Sequence, residues 1–204
     1  MDTRSPLELL NDRHSAKRRM GAKRLRKLKD PSAGPALLEA LQKEVQDPRT
    51  WETQYQMVMA LGECGYAPAL PYLQELASHP FDATMVYVAI GDALVRLGRE
   101  HENDASPVLR LMETGNDTLI DGAFRAVAML RMRPATEAVR EILRFVTPRD
   151  SSDGLRFWIA AAAAGWEGEE VAKFLRACVK GARPDVREAA AASLQGKYLK
   201  WNPL

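Results

Sequence analysis

The sequence predicts an all-α protein built as a stacked helical-repeat array, and three observations carry that expectation. A phrase recurs: Leu61-Gly62-Glu63-Cys64-Gly65-Tyr66-Ala67-Pro68-Ala69-Leu70-Pro71-Tyr72-Leu73 reads as an amphipathic helix ending, a tight turn, and a second helix opening on Ala-x-Pro-x-Leu. Related phrases run from Leu25 to Leu37, Leu94 to Leu109 and Val127 to Val139. The phrase also keeps a period. Taking Leu28, Cys64, Leu97, Leu130 and Ala164 as the last core residue of each first helix gives steps of 36, 33, 33 and 34 residues, the range of helical-repeat arrays. Finally, no strand pattern competes, because alternating apolar residues between hairpin turns are absent.

The elements follow in order. Ser5-Pro6-Leu7-Glu8 is a helix start, with a capping serine, a first-turn proline and a glutamate three residues on. It predicts a short cap helix over about residues 5–12, within a cap segment 1–14. The repeats then fill 15–198, with a tail at 199–204 and one solenoid domain over the whole chain. Repeat one, Ser15 to about Gln46, places Gly21, Ala22, Leu25 and Leu28 on one helix face. Asp30-Pro31 makes its turn, and Leu37, Leu38, Leu41 and Val45 face inward from the second helix. Repeat two, about 51–79, puts Met57, Val58, Leu61 and Cys64 in the same slots, then Leu70, Leu73 and Ala77. Repeat three, about 83–114, uses Ile90, Gly91, Leu94 and Leu97 and has a longer turn at Arg99 to Asp104. Repeat four, about 117–146, uses Ala123, Phe124, Val127 and Leu130, then Ala135, Val139 and Ile142. Repeat five begins after Ser151 with Trp158, Ala161 and Ala164 inward, then Val171, Phe174, Leu175 and Cys178. A last helix opens at Pro184 and runs to about Tyr198.

Composition narrows the class. No apolar run approaches the ~18 residues that span a bilayer, and no apolar stretch follows a basic start, so no secretory leader is expected. The two cysteines, Cys64 and Cys178, fall on apolar faces of different repeats and read as reduced core thiols. A cytoplasmic protein is the simplest expectation. The net charge of +2 hides segregation. Residues 13–29 hold nine Lys or Arg and no Asp or Glu, residues 30–122 carry a net of −10, and residues 123–204 carry a net of +5. Such asymmetry gives distinct electrostatic surfaces.

Ala60-Leu61-Gly62, Ala69-Leu70-Pro71-Tyr72-Leu73, the Asp30-Pro31-Ser32-Ala33 turn and Pro184-Asp185-Val186-Arg187-Glu188-Ala189-Ala190 resemble HEAT repeats over about residues 15–198. The resemblance implies a right-handed α-α superhelix of about five HEAT-like repeats behind the short N-terminal cap helix. It also implies a binding scaffold whose second helices line a partner-facing surface. Repeat three departs in its enlarged turn, and repeat five lacks the Ala-x-Pro opening.

Two surfaces are candidates for partner binding. Lys17, Arg18, Arg19, Lys23, Arg26 and Lys27 lie in the basic helix and cannot all face a core, which predicts an exposed positive ridge. Three readings of it stay open: a solvated end helix, a dock for an acidic protein, or a phosphate contact that reads no sequence. The absence of aromatics from 13–29 removes the stacking platform of single-strand binding. The second helices project Glu39, Gln42 and Lys43, then Tyr72, Gln74 and Glu75, then Val108, Arg110 and Glu113. Arg140, Glu141 and Arg144 follow, then Lys173, Arg176 and Lys180. Of these, Tyr72, Arg110, Arg140, Arg144, Lys173 and Arg176 are the binding candidates, on a surface that grades from mixed to basic. Trp51, Tyr55 and Trp166 read as packing before interface, and Trp158 as buried core.

No catalytic, cofactor or metal residues are expected. His14, His79 and His101 are dispersed, and His101-Glu102-Asn103-Asp104 reads as a polar turn. HEAT-type deoxyhypusine hydroxylases carry several His-Glu pairs, whereas only His101-Glu102 occurs here. HEAT-like alkylpurine DNA glycosylases pair tryptophans with a helix-borne aspartate, whereas no tryptophan here adjoins an aspartate along the chain. Asp92 and Asp121 read as structural polar contacts within first helices. The expected function is non-catalytic protein binding, as an adaptor, a regulatory module or a toxin-immunity-like protein suited by the acidic middle. The alternative is nucleic-acid binding through residues 13–29 and the basic C-terminal repeats.

Overall fold

Helix-forming stretches alternate with proline-led turns, and the computed structural model, which describes residues 3–199, is built accordingly. The helices are α1 (Pro6–Leu10), α2 (Ser15–Leu28), α3 (Gly34–Glu44), α4 (Trp51–Cys64), α5 (Leu70–Leu76) and α6 (Thr84–Gly98). They continue with α7 (Ser106–Glu113), α8 (Asp117–Met129), α9 (Thr136–Val146), α10 (Leu155–Ala162), α11 (Glu169–Val179) and α12 (Pro184–Leu194). No strand occurs among the described residues. The capping box at Ser5 and Glu8 forms in full, with the Ser5 hydroxyl accepting from the Glu8 amide and the Glu8 carboxylate accepting from the Ser5 amide. Asp30 and Asp47 each accept an amide two residues on, which starts the 3-10 turns Pro31–Ala33 and Pro48–Thr50. Gly65 ends α4 with φ at +70°, a conformation that favours glycine.

Two compact units result, residues 1–98 and 99–204. In the first, α2, α4 and α6 pack side by side, with α1 on α2, α3 on α4 and α5 on α6. In the second, α8, α10 and α12 form the close layer, with α7 on α8 and α11 on α12. α9 meets α7 and α11 more loosely. Each unit is therefore a helical-repeat stack with a tight first-helix layer and a splayed second-helix layer. Polar bonds between stacked pairs recur about one repeat apart. Arg26 bonds Glu63 at a separation of 37 residues, Arg149 bonds Asp117 at 32, Ser193 bonds the Ala160 carbonyl at 33, and Trp166 bonds the Met132 carbonyl at 34.

The slots read from the repeat hold at their centre and fail at their ends. Gly21, Ala22, Leu25, Met57, Val58, Leu61, Ile90, Gly91, Leu94, Ala123, Phe124, Val127 and Ala161 are buried. Of the five terminal slots only Cys64 is, while Leu97, Leu130 and Ala164 are half-buried and Leu28 is 64% exposed. Cys64 lies beneath the Leu25 carbonyl, which accepts from its thiol at 3.7 Å. Leu28, in the equivalent slot, has the five-residue α1 as its neighbour on that side, which is too short to cover it. Ala135 is exposed because the chain is still extended there, with α9 beginning at Thr136. Val108 is fully buried and leaves the polar face on which Arg110 and Glu113 remain. The cap helix is shorter than 5–12, and the last helix stops at Leu194, short of Tyr198, with Gly196 at φ +67° just beyond. The tail at 199–204 lies outside the described residues from position 200 onward.

Candidate functional site

The basic helix is largely consumed in packing. The Arg18 guanidinium grips the Glu44 carboxylate at 2.5 and 2.8 Å, and donates to the Asp12 and Arg13 carbonyls. Arg26 is buried and donates to Glu63 at 2.8 Å and to the Gln56 side-chain oxygen at 3.3 Å. Arg19 pairs with Glu52. The positive ridge expected over 13–29 is thus corrected: Arg18, Arg19 and Arg26 turn toward acids of α3 and α4. A charge drawn from water must find a partner, and Glu44 on α3 with Glu52 and Glu63 on α4 supplies it. Lys17 stands 3.9 Å from Asp12, whose carboxyl is held well below the usual carboxylate range by the His14 amide and Arg4. Lys23 and Lys27 remain exposed on the outer face, one turn apart.

The second-helix candidates divide between the units. Tyr72, on α5, is half-buried, and burial with nearby Glu75 pushes its phenol up. Arg110, on α7, is exposed. Arg140, Arg144 and Lys173 come together, because α9 and α11 diverge and leave a groove between them. This groove has two contiguous hollows of about 500 and 510 Å³. One is floored by Leu143, Phe174 and Ala177 and edged by Arg144, Lys173 and Pro148. The other runs past Val139 and Val171 to Trp166 and Arg133. Arg140, Leu143 and Glu170 border both, and the Arg140–Glu170 ion pair, 3.4 Å, spans the groove where the hollows meet. Arg176 lies beside this rim and pairs with Glu169.

Helix chemistry explains the shape. α9 and α11 are strongly amphipathic, with Val139, Ile142, Leu143 and Val146 buried on one and Val171, Phe174, Leu175 and Cys178 on the other. Leu143 and Phe174, only 5% and 3% exposed, form the groove floor from these buried stripes. Trp166 fills the gap at the head of α11, its indole N–H donating to the Met132 carbonyl at 2.8 Å, so packing is its role.

A second polar constellation was invisible along the chain. Asp121 on α8 accepts a hydrogen bond from Trp158 on α10, with Arg125 and Arg183 close enough to act on its charge. Trp158 is consequently half-buried and not core, and an aspartate meets a tryptophan after all, where α8 packs on α10. Burial pushes the Asp121 carboxyl up to about 6, against the opposing pull of Trp158, Arg125 and Arg183. The folded protein therefore binds a proton here that the unfolded chain, with a carboxyl near 3.8, has released. Stability should fall as pH rises between about 4 and 6 on account of this group. Asp121→Asn keeps an acceptor for Trp158 and removes the buried charge. It should gain about 2 kcal/mol at pH 7.5 and nothing at pH 4, read from urea midpoints at both pH values. A variant less stable than the parent at pH 7.5 would show that the ionised form is the favoured one.

The remaining polar candidates are spent locally. Asp92 is fully buried and pairs with Arg96 one turn on. In the His101–Asp104 turn, His101 Nδ1 accepts from the Asn103 amide, and Asp104 accepts from the amides of Glu100 and Ser106. Cys64 and Cys178 are free and buried, and burial pushes both thiols up. No group of three or more His, Cys, Asp or Glu converges among the described residues, and no helix there is long and apolar enough to cross a membrane.

Comparison with known proteins adds one match. Residues 17–43 match the PBS lyase HEAT-like repeat, a span that runs from α2 into α3 and so corresponds to one helix pair. No curated protein matches the chain. Together with the helix pairs that stack within each unit, the match supports a HEAT-like helical-repeat fold.

Proposed function

We propose that the chain is a non-catalytic protein-binding module, acting in the cytoplasm as an adaptor or regulatory subunit, and that the α9/α11 groove is its contact surface. The observation that carries this is the groove itself: an apolar floor at Leu143 and Phe174 walled by the exposed cations Arg140, Arg144 and Lys173. Apolar floors with polar rims are the anatomy of protein interfaces. A toxin-immunity role, which the acidic 30–122 segment suits, is the narrower form of the same reading. Nucleic-acid binding is the weaker alternative, since Arg18, Arg19 and Arg26 are engaged by Glu44, Glu52 and Glu63.

The test is position-specific crosslinking in the cells that make the protein. A photoreactive residue at Thr147, which lines the groove, should capture a protein, and one at Glu188 on α12 should not. Ala177→Trp, which fills the floor, should remove the Thr147 adduct. Equal capture from both positions, or an adduct indifferent to Ala177→Trp, would refute the groove as the contact surface.

A further inference from the structure

We propose, resting on that reading, that the groove takes an acidic amphipathic helix, and that a carboxylate of this helix displaces Glu170 from Arg140. The groove is made by two helices whose backbone groups are already paired, so it offers no strand edge to an extended peptide. A partner must satisfy its own backbone, which a helix does. α9 and α11 each have 11 residues, roughly 16 Å of wall, enough for about three turns of a docked helix. The floor asks for apolar residues at helical spacing, over Leu143, Phe174 and Ala177. Arg140, Arg144 and Lys173 ask for acidic flanks, and Lys180 at the end of α11 extends the same sign.

Glu170 is the internal competitor. It holds Arg140 across the groove at 3.4 Å, with both side chains well exposed, 49% for Arg140 and 68% for Glu170. A pair so wet is weak and easily exchanged. While closed it separates the two hollows; once a partner's carboxylate takes over Arg140, they become one trough. The bridge is thus an intramolecular stand-in for the partner's own charge, which sets a threshold that only an acidic ligand passes.

The test uses the full chain and three labelled synthetic peptides of twelve residues, read by fluorescence anisotropy. One has leucines at helical spacing with glutamates between, one replaces the glutamates by lysines, and one scrambles the acidic sequence so that the periodicity is lost. The acidic helix should bind in the micromolar range and the other two should not. Glu170→Gln should tighten binding about two- to fivefold, the worth of a surface ion pair. Arg140→Gln should weaken it, and charge reversal at Arg140, Arg144 and Lys173 together should weaken it by at least about tenfold. Equal binding of the lysine peptide, or no change in Glu170→Gln, would overturn the proposal. So would binding of a short DNA duplex, lost on the same charge reversal, in place of the acidic peptide. If no peptide binds while the Thr147 adduct still depends on Ala177, the groove reading stands and the acidic helix is wrong.

Discussion

Glu44→Ala should cost the first unit about 3 kcal/mol, because it strands a guanidinium that the fold has drawn away from water. The Glu44 side chain is 2% exposed and takes both arms of its bond with Arg18, together with the Ser15 hydroxyl at 2.8 Å. Its backbone carbonyl accepts from Thr50 and Gln54. One residue at the end of α3 thereby ties α2 to α4. Removing the carboxylate leaves Arg18, itself partly covered, with only the Asp12 and Arg13 carbonyls. Ser15→Ala deletes the hydroxyl's bonds to Glu44 and Thr53 but strands no charge, and should cost only about 1–2 kcal/mol. Glu44→Leu with Arg18→Met removes both charges and should cost less than the sum of the single changes. Urea unfolding gives the energies, and hydrogen exchange places them: protection should drop in α2, α3 and α4 and persist in α8 and α10. A loss under about 1 kcal/mol for Glu44→Ala would mean that the pair behaves as a solvated surface bridge.

That knot marks the boundary of what the chain discloses on its face. The repeat, its turns, the capping box and the central core slots follow from local chemistry: periodic apolar residues, Asp-Pro turn starts and glycine after α4. Local chemistry does not say which acid meets which base. Arg26 and Glu63 are 37 residues apart, and they meet because stacking sets equivalent helices side by side. A search for opposite charges one repeat length apart would have found Arg26 with Glu63 and Arg19 with Glu52, and would have recast the basic ridge as cross-repeat glue. Asp121 and Trp158 needed the same step. The rim of the groove was legible as Arg140, Arg144 and Lys173, since helical projection places them outward. The groove was not, because the divergence of α9 from α11 is a property of packing between pairs, which a repeat phrase read within one pair does not contain. The error at Leu28 has the same origin: the phrase is right about the slot and silent about the length of the neighbour.

Gly62 carries the sharpest consequence of that stacking, and Gly62→Val should destabilise the first unit by several kcal/mol. A methyl group at Gly62 would stand 2.9 Å from the α-carbon of Ala93 and 3.0 Å from its methyl group. The obstacle is backbone, so α6 itself must move away from α4, and the Asp92–Arg96 pair on α6 moves with it. Gly62→Ala separates two opposing terms. Alanine gains roughly 1 kcal/mol of helix propensity over glycine, while overpacking where two helices already touch costs about 1–3 kcal/mol. A net loss shows that the close approach of α4 to α6 wins, and valine, branched at the same atom, must then lose more. Ala93→Gly in the Gly62→Ala background removes the clash between the two methyl groups and leaves the one with the α6 backbone, so any rescue should be partial. Thermal unfolding of the series would show it, and a Gly62→Ala variant more stable than its parent would mean that the layer is slack enough to accept the methyl group. The glycine of the Ala60-Leu61-Gly62 phrase would then serve nothing that stacking demands, and the tight first-helix layer would lose its physical explanation at this position.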